Sequence, residues 1–245
     1  MRRAVVIGGG FIGVDDAWEW NPELLRLRGR LDAVQIAARV APLTRHIGLI
    51  PTAITTHTEP FHLSKAIATL DYVSTGRAGV RVQVSSNPET VGHFGREVAD
   101  DTMAEAADYV EVLRRLWDSW EDDAEIRDAA TGRFVDRDKL HYIDFEGTWF
   151  SVKGPSITPR PPQGQPLVAA LAHGDPAYRL VAASADLGFI TPHHADEIVG
   201  IADTIAEQAR SILEDVQVAA FKVGFLGSAE GISAVAEILA RLGAC

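Results

Sequence analysis

The sequence predicts an α/β protein of the (β/α)8 or TIM-barrel type, and three observations lead to that prediction. Short apolar runs without polar alternation, typical of strands buried on both faces, alternate with amphipathic helical patterns along the chain. Residues 42–86 read as strand, loop, helix, turn and strand, which is the spacing that a parallel strand pair requires. The loop after the first of these strands is rich in hydroxyl groups, and β/α barrels place their ligands at such loops.

Each part of the unit 42–86 has a local reason. Residues 47–52 are an apolar run and are predicted to form its first strand. Thr58–Glu59–Pro60 then supplies a helix start, with a capping hydroxyl, an acid for the positive helix end and an early proline. Gly76 is predicted to end the helix, because glycine adopts the left-handed backbone at no steric cost. The next strand begins with valines at alternate positions: Val80, Val82 and Val84.

The same alternation continues on both sides of this unit. Residues 4–7 are predicted as a strand, 31–41 as a helix and 102–120 as a long amphipathic helix. Residues 121–165 are predicted to form an insertion that is charged at first, then a hairpin around Glu146–Gly147, then a proline-rich loop. After the insertion, strands at 167–172, 187–191 and 216–226 alternate with helices at 175–185, 195–213 and from 228.

These patterns predict six strands, whereas a closed barrel needs eight and typically about 250 residues. The insertion uses much of the available length. We therefore expect an incomplete barrel of six to seven strands, formed by residues 1–245 as a single domain.

Composition excludes several classes of function. The chain has 245 residues and a net charge of −11, which argues against a nucleic-acid or anionic-membrane partner. Its single cysteine, Cys245, excludes an internal disulfide and a cysteine metal cage, and we expect a cytoplasmic protein. No segment approaches the roughly 20 apolar residues that a membrane span needs.

A glycine motif near the start is typical of a different fold. Residues 5–13, VVIGGGFIG, match the strand and G-x-G-x-x-G fingerprint of dinucleotide-binding proteins. However, Asp15, Asp16 and Pro22 interrupt the helix that should follow, and 31–41 is helical where the second strand should lie. An NAD- or FAD-binding Rossmann protein is therefore the less favoured alternative.

Several motifs carry a family resemblance. They are RHIGLIPT, THTEPFHLSKAIATLDYVSTGRAG, HFGRE, ADYVEVLRRLWDSWEDDA and FEGTWFSVKGPSITPRPPQGQPLV. In these motifs the chain resembles the luciferase-like flavin-dependent monooxygenases, in the branch of the nitrilotriacetate and dibenzothiophene-sulfone enzymes. The resemblance implies a β/α barrel that uses reduced FMN, or coenzyme F420 in some branches, and O2 on a small organic substrate. It also implies a separate flavin reductase and a homodimer.

The resemblance also implies a set of cofactor-binding residues. Thr55 and Thr56 would lie beside the isoalloxazine ring, and Ser85 would face the same ring. His173–Gly174 stands where relatives bind the flavin phosphate with a serine pair. Relatives also have Trp-Asn where this chain has Val80 and Arg81, and Arg81 is a candidate replacement for the lost donor.

Histidines are the remaining candidates for chemistry. His57, in the loop after the first strand, is the candidate catalytic residue, either as a proton donor to a flavin peroxide or as a group that orients substrate. It can equally be an imidazole that hydrogen-bonds neighbouring threonines. His193–His194 with Glu197 supplies too few ligands for a metal site, so we expect none.

These observations predict a flavin-dependent monooxygenase. The alternative of another class is a shortened relative that binds flavin without turning over substrate.

Overall fold

The computed structural model describes residues 31–56, 58–190, 197–212 and 222–223. The chain divides into two compact units, one up to Val168 and one from Ala169. The single domain proposed from sequence stays a prediction. The strand predicted at 4–7, the glycine motif and the helix predicted from 228 lie outside the described residues.

The first unit contains four α-helices and six complete strands among its described residues. The helices are α1 (Ala33–Val40), α2 (Pro60–Ser74), α3 (Pro88–Gly92) and α4 (Thr102–Trp117). The strands are β1 (Thr52–Ile54), β2 (Gly79–Gln83), β3 (Glu125–Asp128), β4 (Arg133–Val135), β5 (Phe145–Glu146) and β6 (Ser151–Val152).

Strands β1 and β2 pair in parallel, as predicted, with Thr52 opposite Arg81. The predicted bounds of the first strand, 47–52, were placed too early. Leu49 already forms a parallel bridge with Ala78, but Pro51 has no N–H to donate, and the continuous ladder starts only at Thr52.

Helix α2 follows the predicted pattern except at its first turn. Its N-cap is Glu59, and no side chain caps the helix, so the predicted capping role of Thr58 is wrong. Pro60 at the first position lacks an N–H, and the N–H groups of His62 and Leu63 donate to the Glu59 carbonyl, so these amides need no hydroxyl. At the other end, Thr75 and Gly76 both adopt the left-handed backbone, with φ of 60° and 76°.

Helix α4 packs on α2 through the apolar stripe that the sequence predicted. It begins at Thr102, where Asp101 accepts hydrogen bonds from the N–H groups of Met103 and Ala104, and it ends three residues before the predicted bound. The buried Trp117 indole N–H donates to the Ser64 carbonyl of α2 at 3.1 Å. This bond joins the two helices.

The insertion 121–165 contains two small antiparallel hairpins. The pair β5 and β6 confirms the predicted hairpin. The pair β3 and β4 was predicted only as an exposed excursion, because its strands are short and charged and lack apolar alternation. The short helix α3 was not predicted from the sequence.

The second unit continues the predicted βα alternation. Its elements are β7 (Leu167–Ala172, which begins in the first unit), α5 (Asp175–Ser184), β8 (Leu187–Ile190), α6 (Glu197–Ile212) and β9 (Lys222–Val223). Strand β8 pairs in parallel with both β7 and β9. A Cβ on Gly188 would lie 2.7 Å from Cγ1 of Val181, so the glycine lets α5 pack directly on β8.

Five of the six predicted parallel strands therefore lie among the described residues. The start of β7 adjoins β2 within the first unit, since a Cβ on Gly79 would approach the Leu167 carbonyl oxygen to 2.7 Å. None of the helices described in the structure is long and apolar enough to cross a bilayer.

Candidate functional site

Thr55, Thr56 and Ser85 meet where β1 and β2 end. The Thr55 N–H and Oγ1 both donate to the Gln83 carbonyl, at 2.8 and 3.2 Å. The Thr56 Oγ1 accepts from the Ser85 N–H at 3.1 Å. Thr55 is 0% exposed and Thr56 is 3% exposed. Parallel pairing thus places three of the residues predicted from sequence at the ends of the same two strands, and we call these three residues the threonine cluster.

The hydroxyls of the threonine cluster differ in what they offer to a ligand. The Thr55 hydroxyl already donates a hydrogen bond to the Gln83 carbonyl, so only its lone pairs are left for a further bond. Thr56 accepts a bond and keeps its own proton, for which no acceptor lies among the described residues. The Ser85 hydroxyl makes no hydrogen bond to any residue that the structure describes. The cluster therefore combines an acceptor, a donor and a group that can do both, which suits the edge of a ring that carries carbonyl and nitrogen groups.

Arg81 lies in the body of the strand pair rather than in an exit loop. Its Nε donates to Oγ1 of Thr52 at 2.9 Å, and its Nη2 donates to Oε1 of Gln83 at 3.3 Å. The alternation of β2 places Arg81 and Gln83 on the face opposite the buried Val80 and Val82. The structure therefore holds a half-buried cation on the same strand that leads to Ser85.

Sequence reasoning missed an ion pair that contacts the threonine cluster. Arg96 donates from Nη1 to the Thr56 carbonyl at 3.1 Å and from Nη2 to Oε1 of Glu105 at 2.7 Å. The Glu105 side chain is only 2% exposed. The sequence signal that could have revealed the buried carboxylate is the four-residue spacing between Glu105 and Tyr109, which places both on the buried face of α4.

Tyr109 adds a neutral hydroxyl near these charges. The residue is fully buried, and its oxygen has no hydrogen-bond partner among the described residues. Burial raises the pKa of Tyr109 well above its usual range, with a further rise from Glu59 and a smaller opposing effect of Arg96. The phenol therefore stays protonated at any physiological pH.

His173 and Gly174 belong to the second unit, between β7 and α5. Gly174 is the N-cap of α5 with φ of 94°, and it offers no side-chain cap. His173 is exposed beside it. The first amides of a helix can hold an anion, so this position has the chemistry that a phosphate requires.

Two sets of predicted residues lie outside the described part of the chain, namely His57 and the pair His193–His194. Within the described ranges, no three histidine, cysteine or carboxylate side chains come together as a metal site.

Comparison with known proteins gives the family. Residues 12–230 match the family of luciferase-like monooxygenases. The chain is 36% identical over 198 residues to N-acetyl-S-(2-succino)cysteine monooxygenase of Bacillus subtilis (strain 168), which covers 80% of this chain and 45% of the relative. It is 38% identical over 162 residues to nitrilotriacetate monooxygenase component A of Aminobacter aminovorans, covering 65% and 36% of the two chains.

Solved structures agree. A riboflavin lyase with modified FMN and substrate riboflavin superposes with a TM-score of 0.72 and 28% identity, covering 80% of this chain and 44% of that one. Long-chain alkane monooxygenase superposes with a TM-score of 0.73 and 26% identity, covering 79% of this chain and 45% of that one. These neighbours confirm the predicted α/β fold of the TIM-barrel type.

This chain spans less than half the length of the relatives named here. The match nevertheless runs through the βαβ unit that carries the threonine cluster and continues into the second unit. The chain belongs to the luciferase-like monooxygenase family.

Proposed function

We propose that this protein is a flavin-dependent monooxygenase that uses reduced FMN and O2 on a small organic substrate. The observation that carries the proposal is the threonine cluster: two buried threonines and a serine at the carboxyl ends of adjacent parallel strands, with Ser85 bonded to Thr56 and Thr55 bonded to Gln83, in a member of this family.

The flavin, when bound, supplies the redox and oxygen chemistry. The protein's part is to bind and orient it. In the proposal the Thr56 hydroxyl donates to the ring, Thr55 lies beside it, and Ser85 completes the contact. Since Thr55 and Ser85 are tied to their neighbours through backbone amides, these groups are already fixed before a ligand arrives. His57 is proposed as the catalytic residue that donates a proton or orients substrate.

A second group of residues is proposed for the flavin phosphate. His173 and Gly174 precede α5, whose N-terminal amides can bind an anion, and Arg81 is proposed as a further cofactor-binding cation. FMN is favoured over coenzyme F420, because the riboflavin lyase structure that contains modified FMN is 28% identical, whereas the F420-dependent reductase is 16% identical and supports the fold alone.

The partners of the reaction are also part of the proposal. We propose a separate flavin reductase, a homodimer and a cytoplasmic location. Light scattering after size exclusion measures the dimer directly.

Binding of FMN to the purified chain tests the proposal first. Quenching of FMN fluorescence should saturate, and Thr56→Val should weaken binding by about tenfold or more, since the bond to the ring and the bond that the hydroxyl accepts from the Ser85 N–H are both lost. Thr56→Ser should retain the wild-type affinity. Thr69→Val is the matched control, because the Thr69 hydroxyl only donates to the Lys65 carbonyl on an exposed face of α2.

Turnover is the second test. With a flavin reductase and NADH, the wild-type chain should consume O2 in a substrate-dependent way. Absence of FMN binding would refute the proposal. Binding without any substrate-dependent change in oxygen consumption, above the consumption by free reduced FMN, would favour the non-catalytic alternative over the enzyme.

A further inference from the structure

The ion pair between Arg96 and Glu105 contacts the threonine cluster through the backbone carbonyl of Thr56. One guanidinium nitrogen of Arg96 binds the Glu105 carboxylate at 2.7 Å, and the other binds the Thr56 carbonyl at 3.1 Å. The carboxylate thus orients the guanidinium, and the guanidinium holds the backbone of the residue whose hydroxyl is proposed to donate to the ring. Both bonds are charge-assisted and therefore stronger than neutral ones.

Local sequence fixes both partners of the pair. Gly95 has φ of 67°, a left-handed conformation that turns the chain just before Arg96. Glu105 lies in the first turn of α4, which the Asp101 cap starts at a defined residue. The Trp117–Ser64 bond anchors the same helix farther along. The position of Glu105 is therefore set by a capped and packed helix, and Glu105 in turn holds Arg96, which follows the Gly95 turn in a loop.

Stability alone does not account for this arrangement. Burying a carboxylate is costly, and replacing a buried ion pair by apolar side chains is often neutral or stabilising. What an apolar pair cannot supply is a fixed donor to the Thr56 carbonyl. Small errors matter here, because a binding group must be held within about 0.5 Å of its working position.

We propose that Arg96 is a positioning residue for flavin binding, held in place by Glu105 and acting through the Thr56 carbonyl. The inference rests on the proposed function. The pair fixes the peptide of Thr56, and the peptide fixes the hydroxyl that meets the ligand.

Two variants separate positioning from stability. Arg96→Lys keeps the charge beside Glu105, but an ammonium lacks the planar fork that reaches the carbonyl at the same time. The double variant Arg96→Met/Glu105→Leu removes both charges and so avoids an unpaired buried carboxylate. The matched control is Arg115→Met/Glu111→Leu, which removes an exposed pair of the same 2.7 Å length on the same helix.

Three measurements are made on each folded variant: thermal unfolding, the Kd of FMN from fluorescence quenching, and hydrogen exchange at the Thr55 and Ser85 amides. These amides report on the threonine cluster, because the Ser85 amide donates to the Thr56 hydroxyl and the Thr55 amide holds Thr55 to the Gln83 carbonyl. Both Arg96 variants should weaken FMN binding at least tenfold and speed exchange at the two amides. The control pair should leave the affinity and both exchange rates at wild-type values.

The outcomes distinguish the inference from the function on which it rests. If a folded Arg96 variant shows wild-type affinity and unchanged amide exchange, the positioning role is overturned and the pair is only structural. If the wild-type chain fails to bind FMN, the proposed function fails. In that case faster exchange at Thr55 and Ser85 in the Arg96 variants would still establish that the pair holds the cluster.

Discussion

At the scale of single residues, Arg77 shows how one side chain can replace several missing backbone partners. Its Nη1 donates to the Ile47 carbonyl at 2.6 Å, its Nη2 donates to the Ala41 carbonyl at 2.9 Å, and its Nε donates to the Ser74 carbonyl at 2.7 Å. These carbonyls come from the turn after α1, from the approach to β1 and from the end of α2. The guanidinium therefore ties together three segments that would otherwise leave acceptors without donors.

Replacing Arg77 by lysine should lower the free energy of unfolding by about 1–3 kcal/mol, because one ammonium cannot serve divergent carbonyls. Urea denaturation measures the change. Arg39→Lys, at an exposed position on α1, should change the stability by less than about 0.5 kcal/mol. Equal effects of the two substitutions would contradict the bridging role of Arg77.

The hydroxyl of Tyr109 leads to the opposite expectation. Since the buried oxygen has no partner among the described residues, Tyr109→Phe should leave the protein as stable as before or stabilise it by up to about 1 kcal/mol. The aromatic ring, which meets Phe150 edge-on, is retained. Thermal unfolding at neutral pH is the measurement. A clear loss of stability would mean that the phenol has a partner that the described contacts do not contain.

At the scale of elements, the proline-rich part of the insertion is fastened to the βαβ unit by a buried carboxylate. Asp71 near the end of α2 is 0% exposed. Its oxygens accept from the Gln163 N–H at 2.9 Å, from the Gln163 side-chain amide at 2.6 Å and from the Ala78 N–H at 3.1 Å. One residue of α2 thus holds both the start of β2 and a loop that has no regular structure of its own.

Asp71→Ala should therefore cost about 2–3 kcal/mol, because it leaves buried donors unsatisfied. Its control is Asp138→Ala, at an exposed position in the insertion, which should have little effect. Limited proteolysis adds a local readout, since cleavage near Gln163 should become faster than in the control. Unchanged proteolysis together with wild-type stability would refute the fastening role.

The accuracy of the element predictions followed the clarity of the patterns. Strand β7 was predicted to the residue, because its apolar run is bounded by proline on one side and by the helix start on the other. The first strand was misplaced because hydrophobicity does not register the missing donor of Pro51. The hairpin β3–β4 is charged and exposed, so no core pattern marked it.

At the scale of the whole molecule, the sequence located the threonine cluster but not what holds it. Parallel strand order brings Thr55, Thr56 and Ser85 together, and this follows from local patterns. Arg96 reaches the cluster from a loop 40 residues away from Thr56 along the chain, and no periodicity announces such a contact. The roles of these residues toward a flavin remain predictions that binding measurements decide.

The net charge of the whole chain predicts how the rate of FMN association depends on salt. A chain with a formal charge of −11 repels the phosphate of FMN at long range. Added salt screens that repulsion, so the association rate of FMN in stopped-flow quenching should rise a few-fold with ionic strength. A rate that falls with salt would indicate instead that local cations steer the ligand inward.

The close approach of β2 and β7 restricts what evolution or a mutagenesis library can place at one position. At Gly79 any carbon beyond the backbone would collide with the Leu167 carbonyl oxygen, whereas Gly92 has open space around it. In a saturation screen selected for folded protein, codon 79 should return glycine alone while codon 92 accepts alanine. Two glycines that look alike in the printed sequence would then show opposite tolerances, one set by a neighbouring strand and the other by solvent.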